Sequence, residues 1–126
     1  MQRLARAVLA SLLATVPPGG ASAATYDDDA ASREGTCAGG IAWRMEATSH
    51  DGRIEIRARM DAVRYGRRWS WVLKHNGSLS DRGASRATGG GGSYEVERTA
   101  IDVSGLDTFR FRATRKAAVC VARVSL

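Results

Sequence analysis

Histidine and cysteine are nearly missing from this chain, two of each in 126 residues, so the commonest general bases, nucleophiles and metal ligands are in short supply. No serine stands in a Gly-x-Ser-x-Gly elbow, the strained turn that exposes a hydrolase nucleophile. The strand acids Glu46, Glu55, Glu95 and Glu97 alternate with apolar residues and read as solvent-face groups, not as paired carboxylates across a cleft. No apolar run reaches the ~20 residues that a membrane span needs. Lysine is also scarce, two against seventeen arginines. These absences leave no cofactor motif and point away from an enzyme.

The chain starts with Arg3 and Arg6, an apolar run from Ala7 to Val16, a Pro17-Pro18-Gly19-Gly20 break and a small-residue Ala21-Ser22-Ala23 site. That is the layout of a secretory signal peptide over 1–23, so the protein is expected to be secreted. Roughly a hundred residues then remain, enough for one domain with a modest core. In an exported chain the two cysteines, Cys37 and Cys120, are expected to form a disulfide. Residues 24–36, with Asp27, Asp28, Asp29 and Glu34, have little to bury and read as a flexible acidic tail. The β domain is placed at 37–126.

Trp69 to Lys74 alternates apolar and polar residues and stops at Asn76-Gly77, a strong two-residue hairpin signal. Ile41–Thr48 and Arg53–Met60 alternate on either side of Asp51-Gly52. With that turn, Trp43 faces Met60, Met45 faces Ala58 and Ala47 faces Ile56, all on one side. The Asn76-Gly77 hairpin is expected to set Leu73 against Ser80 and Trp71 against Arg82. Tyr94–Thr99 is a weaker strand. Phe109, Phe111 and Ala113 alternate with arginines, as do Cys120, Ala122 and Val124 with outward residues; a loop at 114–117 sets Phe111 against Cys120. Seven strands result, three hairpins and a lone fifth strand. Their order resembles an immunoglobulin or fibronectin type III-like sandwich, all-β and antiparallel, a likeness that implies strands one, two and five in one sheet and the rest in the other. The whole chain, with Trp69-Ser70-Trp71 and the Asn76-Gly77 hairpin, also resembles small secreted actinobacterial proteins of uncharacterised function, which implies export and no particular activity.

Charge is the remaining feature. The formal net charge is +6, and the expected topology collects Arg64, Arg67, Arg68, Arg86, Arg115 and Lys116 at one end. Such an end suits an extracellular polyanion or an acidic protein as partner. The acidic tail is expected to enter the domain there and to lie loosely over it. Two other readings are open: a protease inhibitor offering the Arg64–Arg68 or Arg115–Lys116 loop as bait, and a small hydrolase. At the opposite end His50, His75, Asp102, Ser104 and Asp107 have metal-ligand chemistry, but they are also ordinary turn residues, and no metal is expected.

Overall fold

The computed structural model describes residues 29–61 and 64–126; the signal-peptide segment 1–23 and residues 24–28 of the acidic tail lie outside them. Eight strands follow: β1 (Ala30–Cys37), β2 (Ile41–His50), β3 (Arg53–Asp61), β4 (Arg68–His75), β5 (Ser78–Arg86), β6 (Ser93–Ile101), β7 (Thr108–Arg115) and β8 (Ala118–Ser125). They form two antiparallel four-stranded sheets, ordered β1-β2-β3-β6 and β5-β4-β7-β8. No helix among the described residues is long and apolar enough to cross a membrane.

The hairpins explain the sheets. Asp51 and Gly52 take φ of 50° and 74°, and Asn76 and Gly77 take 48° and 84°, the positive values that a tight primed turn demands. The β2–β3 register pairs Trp43 with Met60, Met45 with Ala58 and Ala47 with Ile56, as the alternation requires. Side chains of even spacing then line the space between the sheets: Met45, Ile54, Ile56 and Met60 from the first, Trp71, Leu73, Phe109, Phe111 and Val124 from the second. The disulfide Cys37–Cys120 joins β1 to β8 at one edge, with Cα atoms 5.5 Å apart. At the other edge the Arg98 guanidinium of β6 lies 4.9 Å above the Trp71 ring and pairs with Asp81 of β5. Trp71 also donates its indole N–H to Ser85 Oγ at 3.2 Å.

Three expectations are corrected. The described residues form eight strands, not seven, because the acidic tail from Ala30, together with Cys37, pairs with β2 from Ala30↔Thr48 to Cys37↔Ile41. This strand is specified by backbone hydrogen bonds and a neighbour's side chain more than by its own. A Cβ on Gly35 would lie 2.7 Å from Trp43 Cζ2, so the indole packs directly on the backbone of β1. The β4–β5 register begins as expected, Lys74↔Leu79, and then slips at a bulge between Leu73 and Lys74. Trp71 therefore faces Gly83, not Arg82, and again only a glycine leaves room: an added Cβ would meet Trp71 Cζ2 at 2.8 Å. Finally, the β7–β8 turn is Lys116-Ala117 alone, so Phe111 faces Ala122 and Ala113 faces Cys120. That shift of two keeps every inward residue inward.

Candidate anion-binding site

Antiparallel pairing sends the β1–β2 turn, the loop residues 64–67, the 87–92 loop and the β7–β8 turn to one end of the molecule. Two backbone hydrogen bonds fix the middle of that end. Gly66 N–H donates to Ala87 O, and Ala87 N–H donates to Arg67 O, each at 2.8 Å. The Arg86 guanidinium donates to Gly66 O at 3.2 Å, which holds it beside the loop.

Arg67, Arg68, Arg86, Arg115 and Lys116 border one open groove, with Ser70 and Thr114 on its floor. Arg64, Arg67 and Arg115 border a second, adjoining cleft floored by Ile41, Trp69 and Ala118. All six basic residues expected at this end are brought together, and no described carboxylate lines either cleft. None of the six makes an ion pair among the described residues. Lys116 sits at φ 51°, a left-handed backbone that costs a residue with a Cβ about 1–2 kcal/mol. Tyr65, between Arg64 and Gly66, is 72% exposed. Its neighbours made the sequence signal basic, so an aromatic available at this end went unnoticed.

The described part of the acidic tail, residues 29–36, does not lie loosely over these loops as expected but is held as β1 against β2. Because Ala30–Cys37 runs antiparallel to β2, Asp29 lies at the far end, where Ser49 N–H donates to Asp29 O at 2.8 Å. About eight strand residues at roughly 3.3 Å each separate Asp29 from the basic end; Asp27 and Asp28 lie outside the described residues.

The two histidines share the far end but serve different contacts. His50 Nε2 lies 3.1 Å from Asp51 Oδ2, well exposed. His75 Nε2 lies 2.6 Å from Asp107 Oδ1, and its ring stacks on Phe109 with centroids 4.4 Å apart. Asp107 is buried, exchanges both backbone hydrogen bonds with Leu126 and accepts Val103 N–H on its carboxylate at 3.4 Å. A hydrogen bond that the protonated Asp102 carboxyl donates to the Asp107 carboxylate, together with lesser desolvation and the Asp107 charge, lifts Asp102 above its usual range. The cluster ties the 102–107 loop to β4 and β8. No group of three or more histidine, cysteine, aspartate and glutamate side chains among the described residues is placed to hold a metal.

The outward faces of the sheets differ in charge. On β1-β2-β3-β6, Arg57 lies 2.8 Å from Glu97 and 3.1 Å from Glu95, which raises its proton affinity, Glu97 contributing most. Arg44 pairs with Glu46, and Arg59 with Asp61. On β5-β4-β7-β8 the outward positions hold arginine, lysine, small or aliphatic residues and no carboxylate. No protein-family model, curated protein or solved structure matches the chain.

Proposed function

We propose that this chain is an exported, non-catalytic protein that holds an anionic partner, a polyanion or an acidic protein, in the groove between residues 66–68 and its β7–β8 turn. The fold type we infer is the immunoglobulin or fibronectin type III-like sandwich, to which the grouping of β2, β3 and β6 against β4, β5, β7 and β8 conforms. Export accords with the Cys37–Cys120 disulfide, since such bonds persist in oxidising compartments.

The observation that carries the binding reading is a groove rimmed by Arg67, Arg68, Arg86, Arg115 and Lys116 with no described carboxylate on its lining. Guanidiniums meet carboxylate, sulfate or phosphate in a two-pronged geometry, and Ser70 and Thr114 add hydroxyl donors at the floor. Backbone strain at Lys116 also fits a functional turn, since a glycine there would be less strained and would bring no charge. The inhibitor reading is weaker for this loop, because Arg115 precedes and Lys116 begins a two-residue turn too tight to extend along a protease cleft.

Elution from a heparin column tests the proposal. Arg67→Gln with Arg68→Gln and Arg115→Gln should elute at clearly lower salt than the parent, because each lost contact lowers the salt dependence of binding by about one. Lys116→Gly should also elute earlier while melting at the same or a higher temperature. Unchanged elution of the triple variant would overturn the proposal.

A further inference from the structure

The groove opens onto the uncovered face of the β5-β4-β7-β8 sheet, and the cations continue across it. Along β7 the outward residues are Arg110, Arg112 and Thr114, leading to Lys116 at the turn. Outward neighbours on a strand are about 6.8 Å apart, and adjacent strands about 4.8 Å. Lys74 of β4 and Arg123 of β8 stand opposite Arg110 on either side. Arg82 of β5 stands opposite Val72, which in turn stands opposite Arg112.

This arrangement has a cost. Like charges directly opposite in a sheet are destabilising, and here Arg110 faces Arg123 while Arg68 faces Arg86. The same chain neutralises its other sheet almost completely, so arginine-rich composition alone does not place the carboxylates all on one side.

We infer that β7 and its flanking strands form a cationic track for a linear acidic polysaccharide, whose end is held in the groove and whose body runs down the sheet toward Arg110. The inference rests on the anion-binding reading of the groove and adds the ligand's class, length and course. A linear polymer fits because the outward cations recur along β7 from Arg110 to Lys116, a run of about 20 Å flanked by Lys74 and Arg123 and far longer than a single anion. A sugar polymer fits because the track itself has no exposed aromatic to stack bases, while Tyr65, 72% exposed, stands at the groove end, where one ring face could seat a sugar.

The test uses heparin fragments of two lengths, one of about four sugars that fills only the groove and one of about twelve that reaches the far end of β7. Binding is measured by calorimetry at several salt concentrations. The parent protein should bind the long fragment more tightly than the short one, by about tenfold at low salt, with a steeper salt dependence. A variant with Arg110→Gln, Arg112→Gln and Arg123→Gln should lose that gain and still bind the short fragment as the parent does. A variant with Arg44→Gln, Arg57→Gln and Arg59→Gln, which removes the same charge from the other sheet, should keep the gain. Thermal melts establish that each variant is folded.

Equal affinity for the two lengths, or equal loss in the two variants, would overturn the track and leave the groove standing. If neither length binds, the anion-binding reading itself falls. Tyr65→Ala should weaken heparin binding and leave inorganic polyphosphate of similar charge unaffected. Tighter binding to polyphosphate, duplex DNA or anionic phosphatidylserine vesicles than to the long fragment would overturn the sugar-polymer assignment.

Discussion

The two sheets solve the problem of an arginine-rich chain in opposite ways. On the outside of β1-β2-β3-β6, Arg44, Arg57 and Arg59 each have a carboxylate within 3.3 Å, and the inside is mostly aliphatic and sulfur-bearing, with Met45, Ile54, Ile56 and Met60. On the outside of β5-β4-β7-β8 cations face cations, and the inside carries Trp69, Trp71, Phe109 and Phe111. A sheet with repulsion on its solvent side must gain its stability from its buried side. Aromatic residues suit that task, because each buries a large apolar area. The Trp71 and Phe111 rings stack with centroids 5.5 Å apart, and Phe111 is the inward neighbour of Arg110 along β7. The contrast implies that outward charge on the first sheet serves the fold, and on the second is tolerated by it.

Deleting an indole from each sheet probes this contrast most strongly. Trp71→Ala should cost about 3–5 kcal/mol, as a large-to-small change in a filled core. Trp43→Ala, from a half-buried site over β1, should cost about 1–3 kcal/mol by area. Equal losses in chemical denaturation would mean that the second sheet does not depend specially on its aromatic interior.

A polar atom buried on the first sheet gives the next effect. The Tyr94 hydroxyl has no hydrogen-bond partner, and burial pushes its ionisation well above the ordinary phenol range. With the folded value raised, stability is fully present below the unfolded value of about 10 and is lost as pH climbs beyond it, by roughly 1.4 kcal/mol per unit. Tyr94→Phe should remove this alkaline loss and leave neutral stability the same or slightly higher, since no hydrogen bond is given up. A parallel decline of parent and variant above pH 10 would refute the assignment.

Single charges should give the smallest and most telling result. Arg57→Gln should lower the melting temperature and Arg123→Gln should raise it, each by less than about 5 °C, as for exposed charge changes generally. Added salt should shrink both shifts. Shifts of the same sign would erase the distinction between the two faces.

Much of this was legible from residue alternation and turn chemistry. Asp51-Gly52 and Asn76-Gly77 locate their hairpins because few other pairs accept two positive φ values, and inward periodicity then assigns faces. What escaped was specified elsewhere than in the residue itself. β1 has a polar, acidic sequence with little periodicity, and its evidence is Trp43 lying over Gly35. The bulge beside Leu73 likewise has no mark in its own residues, and its result is Trp71 opposite Gly83, where an added Cβ would clash with the indole. The six basic residues of the groove end were found because turns near one another in topology can be counted. The track of Arg110, Arg112 and Arg123 was not, because it shows only when opposite strands are compared and no acid is found between them.

The position of the disulfide has a mechanical consequence. Cys37 and Cys120 are 83 residues apart in sequence but covalently adjacent in space, so tension applied between Asp29 and Leu126 bypasses nearly the whole domain. Such a pull can strip β1 and the last residues of β8 from their neighbours, and then it meets a sulfur bridge. The intervening chain, which would add about 280 Å of length if drawn out at some 3.4 Å per residue, stays locked. Under load the molecule behaves as a short extensible leader joined to an inextensible body, and the basic end, next to the bridge, is the part least deformed.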